Sequence, residues 1–384
     1  MRLVAASILG QRRDALAGSI AGAPCGRWLY SMLISAFGAP TPYCDWAFFV
    51  LEHVLNAIYG SHYRIACDTV VELRDAWEGR NGRPVLIVSN KPDRELSDFL
   101  VASGFPCLAF IDDPLATLAM PCEHQPFDEG IRTAVRHMTA LAHVFSAKQL
   151  RSLDSRFLDV PLIAFIEEIL VVVAGQADPA MIAKVAVAVA PDAPAANVEM
   201  LLRRQVGRAP SIRHALDMLS PQERAVVESL ATAYGPIFAC QPLTFFEWPL
   251  QLFSTYGGGL VVNLVGKGRC IVWGPYLCLP IGRWRATLEC EVVDNISGNE
   301  IEADVCIALE VAANGHAYLP TLGLFRFSLE FEVADPSLTI ELRLHLLKGA
   351  IEGKLGLRKV TVERIERRET EPADGTLIEA RTVA

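Results

Sequence analysis

An α+β chain of more than one domain is what the sequence predicts: a mainly helical N-terminal region holding a βαβ unit, followed by a C-terminal antiparallel β-sandwich. Three patterns carry that expectation. From Arg283 to Val292 the residues Trp284, Ala286, Leu288, Cys290 and Val292 alternate with Arg283, Arg285, Thr287, Glu289 and Glu291. Successive strand side chains point to opposite faces, so this strand buries one face and wets the other. The alternation recurs in Phe325, Phe327, Leu329, Phe331 and Val333, and in Ile340, Leu342, Leu344 and Leu346. Upstream, two wholly apolar runs flank a helix-length segment, and from Ile131 onward the apolar residues fall at helical spacing.

A chain of 384 residues has room for two or three domains. The expected division is an α/β region over 1–239, a connector over 240–268, the β-sandwich over 269–367 and a disordered tail over 368–384. The hydrophobic fraction is 52% and the mean hydropathy +0.29, yet no stretch reads as a membrane span. Leu162 to Ala174 is broken by Glu167 and Glu168, Met181 to Ala190 contains Lys184, and a span needs about 20 apolar residues. Leu3 to Gly10 ends at Gln11, Arg12 and Arg13, too soon for the core of an export signal. The net charge is −9 and basic residues cluster only as pairs, which argues against nucleic acid or an anionic membrane surface as partner. Ten cysteines include no C-x-x-C pair, as expected of free thiols in a reducing cytoplasm.

In chain order, residues 1 to about 80 read as helical, with Trp46, Phe49, Leu51, Val54 and Ile58 forming an apolar stripe. Val85 to Val88, Arg94 to Ala102 and Pro106 to Ile111 then make a strand, a helix and a strand, joined as a parallel crossover. Helices follow at 131–147, 158–174, 181–190 and 198–206. Another has full end signals: Ser220 as N-cap, Pro221 at N1, Glu223 closing a capping box and Gly235-Pro236 as stop. Phe245, Phe246, Trp248, Phe253 and Tyr256 precede three glycines, a composition suited to a hinge or platform. Turns of the β-module are expected at Pro280-Ile281-Gly282, Ser297-Gly298-Asn299, Asn314-Gly315 and Asp335-Pro336.

Ligands of parallel sheets collect beyond the carboxyl ends of strands. There the sequence puts Ser89, Asn90, Lys91 and Asp93, where a donor loop would sit, and Asp112 and Asp113, candidates for acid-base or metal duty. The loop lacks the glycines of a phosphate cradle, and Asp93 equally suits a helix cap; Asp112-Asp113-Pro114 equally suits a turn. Cys122, His124, His137 and His143 lack metal-site spacing, so no metal is expected, and no G-x-S-x-G elbow is present. On the β-module, Trp273, Tyr276, Trp284 and Tyr318 are aromatics that could stack on sugar rings. Trp284 lies on the apolar face and reads as core, whereas Trp273 and Tyr276 flank Gly274-Pro275 at a strand end.

The run Gly274-Pro275-Tyr276-Leu277-Cys278-Leu279-Pro280-Ile281-Gly282-Arg283-Trp284, the Asn295 to Asn299 turn and the Phe327 to Phe331 strand resemble an accessory β-sandwich of bacterial surface-glycan and signalling-oligosaccharide proteins. The whole chain is similar to host-specific nodulation proteins of rhizobia. That resemblance implies an accessory or host-range factor whose β-module recognises glycan, with an oligosaccharide or a partner protein as partner. It brings no catalytic residue and names no cofactor. Two alternatives stay open: a sugar- or lipo-oligosaccharide-modifying transferase, sulfotransferase- or glycosyltransferase-like, with a degenerate donor loop, and a structural protein-interaction module.

Overall fold

The computed structural model describes residues 33–145, 147, 149–205, 212–366 and 381–383. The chain begins β1 (Leu33–Phe37), α1 (Pro42–Tyr59), β2 (Tyr63–Ala66), α2 (Val70–Trp77), β3 (Val85–Ser89), α3 (Arg94–Ser103) and β4 (Cys107–Ile111). It continues α4 (Pro114–Ala119), α5 (Phe127–Phe145), β5 (Leu150–Asp154), α6 (Leu162–Ala174), α7 (Pro179–Val189), α8 (Val198–Gln205), α9 (Ile212–Met218) and α10 (Pro221–Phe238). Short strands β6 (Phe245–Glu247), β7 (Ser254–Thr255) and β8 (Val261–Asn263) lead to β9 (Arg269–Leu277), β10 (Gly282–Val293), β11 (Glu300–Ile307) and β12 (Glu310–Tyr318). Last come β13 (Gly323–Val333), β14 (Ile340–Leu346), β15 (Lys354–Arg364) and β16 (Arg381–Val383). Together these make an α+β multidomain chain with a βαβ-bearing N-terminal region and a C-terminal antiparallel sandwich, as the sequence predicts.

The chain folds as two compact units. One holds the described residues up to Asp113 and from Val144 to 205; the other holds Pro114–His143 and everything from Ile212 onward. The expected boundary at 239 therefore differs from the observed division. Helices α4, most of α5, α9 and α10 pack with the sandwich: Thr139 Oγ1 donates to Pro336 O at 2.9 Å and Tyr234 Oη to Cys278 O at 3.0 Å.

In the first unit a five-stranded sheet has the order β2-β3-β1-β4-β5, and its ladders are all parallel. Strand β1 is central and buried throughout. Its sequence, Leu33 to Phe37, lies in the stretch expected to be helical, as does β2. A strand buried on both faces shows no alternation that would separate it from a short piece of buried helix. The part of that expectation covering residues 1–32 lies outside the described residues. Strands β3 and β4 are parallel as expected, but β1 is inserted between them, pairing Leu33 to Phe37 with Val85 to Ser89 and Ser35 to Phe37 with Cys107 to Ala109. Packed on the sheet are Trp46, Phe48, Leu51, Phe165, Ile169 and Leu170, with Phe48 edge-on to Phe110 at 5.3 Å.

The second unit is built on two antiparallel sheets, β16-β13-β10-β15-β6 with β8 also on β15, and β12-β11-β14-β9-β7. Their inner faces carry the alternating apolar sets, and Trp284 is buried, its Nε1 donating to Pro280 O at 2.9 Å. Two differences from expectation follow from edge pairing. The connector over 240–268 supplies β6, β7 and β8, and Arg381 to Val383 of the expected disordered tail pair with β13, while 367–380 and 384 lie outside the described residues. Such edge strands of two or three residues are too short to show a period. Ser220 caps α10 in the reciprocal box with Glu223, but the helix continues past Gly235-Pro236 to Phe238. Among the described residues no helix is long and apolar enough to cross a membrane, and the cysteines are unpaired.

Candidate functional site

Two places merit comparison, and the first is the carboxyl edge of the parallel sheet. Chain leaves β1 through Gly38 into α1, whose N-cap Thr41 accepts from Cys44 N at 3.3 Å. Only glycine suits position 38, since a Cβ would lie 2.9 Å from Phe110 O and 3.0 Å from Cys44 Sγ. Asp112, just beyond β4, is buried, accepts from Asp113 N at 2.8 Å and is bonded to the Thr41 hydroxyl. Burial pushes its carboxyl above the usual range, against the pull of those bonds. This carboxylate and Asp45 therefore sit around the first turn of α1, the end that would otherwise attract an anion.

At the end of β3, Ser89 Oγ donates to Asp68 Oδ1 at 2.7 Å and Lys91 N to the same oxygen at 3.2 Å. The Lys91 ammonium is 3.9 Å from Asp68 Oδ2, and Asp93 caps α3 by accepting from Leu96 N at 2.7 Å. Half-buried Asn90 follows Ser89. These donors are thus turned toward a carboxylate of the chain itself. With β1 between β3 and β4, Ser89 is in register through Phe37 with Ala109, and Asp112 lies three residues beyond Ala109, so the two candidate clusters are offset both across and along the sheet. Among the described residues no three His, Cys, Asp or Glu side chains gather as a metal site needs.

The second place is the outer face of the sheet β12-β11-β14-β9-β7. Register puts Ser254, Trp273, Arg343, Asp304 and Asn314 in one row across all five strands. A neighbouring row holds Cys270, His345, Glu302 and His316. On the other side Glu341 stands opposite Pro275 and Cys306. Arg343 holds Asp304 by a two-pronged fork, Nε to Oδ1 at 2.7 Å and Nη2 to Oδ2 at 2.8 Å, and His345 Nε2 lies 3.4 Å from Oδ2. Burial pushes Asp304 up, but the nearby His345 imidazole and the hydrogen bonds and charge of Arg343 outweigh it and hold the carboxyl below its ordinary value. Glu302 accepts from Asn314 Nδ2 at 3.2 Å and is 3.7 Å from His316. Tyr318, 69% exposed, continues the alternation of Asn314 and His316 along β12.

Trp273 is half-buried on β9, one strand in from the edge of this face, beside Arg343. Beneath it, β9 passes close to the segment before β7: a Cβ on Gly274 would lie 2.8 Å from Leu252 O, and the residue has φ of +136°. Tyr276 is differently occupied. Its hydroxyl bonds to Glu341, the Arg132 guanidinium covers its ring at 4.7 Å, and burial with the Glu341 bond pushes its pKa up to about 12. Trp273 is the more available of the two rings named from sequence.

The opposite outer face, on β13, β10 and β15, is a charge ladder. Arg283 and Arg285 both reach Glu330 at 2.8 and 2.5 Å, Arg326 meets Glu289 at 2.7 Å, and Thr287 meets Ser328 at 2.8 Å. It satisfies itself, with no aromatic in its registered pairs across β10 other than those on the inner face.

No family model and no curated protein matches the chain. Among solved structures it is similar to a carbohydrate-binding domain of a multidomain xylanase from the hindgut metagenome of Trinervitermes trinervoides, at 14% identity over 30% of this chain and 93% of that one, TM-score 0.22. It is also similar to a carbohydrate-binding module solved with β-1,4-galactotriose, at 12% identity over 27% and 69%, TM-score 0.20. A mouse sulfotransferase complexed with PAP is similar at 9% identity over 54% and 86%, TM-score 0.37. At such identities and scores the functional reading rests on the chain's own residues.

Sequence reasoning misses Asp68, Thr41, Arg343 and Asp304. Asp68 meets Ser89 across 21 positions and Asp304 meets Arg343 across 39, so neither pair has a local spacing to betray it. The one available signal is that Arg343 and Asp304 both sit as polar residues between apolar neighbours of regular strands.

Proposed function

We propose that the protein is a glycan-recognition factor, accessory to bacterial surface or signalling oligosaccharide, which binds saccharide on the outer face of the β12-β11-β14-β9-β7 sheet. The row Ser254–Trp273–Arg343–Asp304–Asn314 carries the reading. A sugar ring offers an apolar C–H face and a rim of hydroxyls. An indole set among a fixed guanidinium, carboxylates and an amide answers both, because the ring stacks while the rim exchanges hydrogen bonds in known directions. The fork that fixes Arg343 removes the cost of ordering it on binding. A nodulation-type, host-range role is the finer part of this reading, and it rests on the resemblance of the whole chain to host-specific nodulation proteins. A cytoplasmic setting is supported by the buried, unpaired Cys44, Cys278, Cys290 and Cys306. A transferase would seat its donor at the carboxyl edge, where Asp68 and Asp112 already engage the groups an anionic donor would need.

The test is retention of the full chain on immobilised polysaccharides. Trp273→Ala should weaken retention by about tenfold or more, whereas Tyr318→Ala, toward the end of the face, should cost less. Equal retention of wild type and Trp273→Ala would remove the site from this face.

A further inference from the structure

Which saccharides this face accepts follows from its charges, and the inference rests on the recognition reading above. We propose that the face selects uncharged glycans and turns away uronates and sulfated sugars. A face that captures an anionic sugar presents a guanidinium or ammonium whose charge is not already matched. Here the central cation, Arg343, is matched by the fork to Asp304. Lys348, at the rim, lies 3.0 Å from Glu300.

The carboxylates are less fully matched. Glu302 meets an amide, Asn314, and the imidazole of His316; Glu341 meets the hydroxyl of Tyr276. Both belong to the rows flanking the central one, on the sheet that carries Trp273. A carboxylated or sulfated ring stacked on the indole and reaching the Glu302 row would therefore bring its charge beside that carboxylate, where Arg343 is already committed to Asp304. A neutral ring meets the same groups as hydrogen-bond partners: Glu302 and Glu341 accept from sugar hydroxyls, and Asn314 exchanges both ways. Specificity here comes from repulsion of the wrong partner as much as from attraction of the right one.

The experiment is affinity electrophoresis of the full chain through two sets of gels. One set contains neutral polysaccharides (β-glucan, xylan, galactan, mannan); the other contains polygalacturonate, alginate and a sulfated galactan. Retardation by at least one neutral polymer and by none of the anionic ones is expected. Asp304→Asn, which frees the Arg343 charge, should then raise retention by polygalacturonate about fivefold, the effect of removing one like charge at short range. Glu302→Gln, at a half-exposed position, should act in the same direction and guards against loss of folding in the first variant. Anionic retention equal to or above neutral in the wild type would overturn the proposal and leave glycan recognition standing. So would a failure of both variants, confirmed folded by circular dichroism, to gain anionic retention. Retardation by neither set would overturn the recognition reading itself, and this proposal with it.

Discussion

Asp304 and Asp112 are both nearly buried carboxylates, and their surroundings drive them in opposite directions. Asp304 is held below the ordinary value by His345 and Arg343 despite its burial. A carboxyl depressed in the folded state adds stability that is present above its unfolded pKa, about 4, and is lost as pH falls through the folded value. Thermal unfolding followed from pH 6 downward should show the wild type losing Tm below about pH 4 and Asp304→Asn losing less. Identical slopes would show that the fork contributes nothing. Asp112 is raised by burial, so folding suffers where the free carboxyl would be charged, above about pH 4. Asp112→Asn keeps an acceptor for the Asp113 amide and should raise Tm at pH 7, with the gain fading as pH falls toward 4. A lower Tm at pH 7 would mean that the charge is used, as catalysis or metal binding would require.

At the scale of elements, legibility in the sequence depends on whether a strand has a wet face. Strands β10, β13 and β14 announce themselves because Arg285, Glu330 and Arg343 alternate with Ala286, Leu329 and Leu344. Strand β1 does not, since Leu33 to Phe37 are buried on both sides. The capping box at Ser220 is readable because its partners are three residues apart, and its loss in Ser220→Ala should cost about 1 kcal/mol in urea unfolding. The turn from β1 into α1 offers a sharper check on the strand that the sequence hides. Gly38→Ala would force a methyl against the Phe110 carbonyl and Cys44, and should destabilise by about 1–3 kcal/mol. No change would mean that β1 does not run beside β4. Of the candidate site, Trp273 is visible as an aromatic next to a Gly-Pro step, but its row is not, because register across β7, β9, β14, β11 and β12 is a property of the assembled sheet.

At the scale of the molecule, sheet topology separates two architectures. The parallel sheet shares no ladder with either sheet of the sandwich among the described residues, so the β unit has its own core. One architecture has an edge whose polar groups are turned on the chain's own carboxylates; the other has a face with an aromatic ring beside a fixed guanidinium. That contrast favours recognition over group transfer. It is tested most directly by mapping amide chemical shifts of the full chain while a neutral oligosaccharide retained by the wild type is titrated in. Shifts should gather on Ser254, Trp273, Arg343, Asp304 and Asn314. Shifts gathered instead on Ser89 to Asp93, or on the Arg285–Glu330 ladder, would contradict the account.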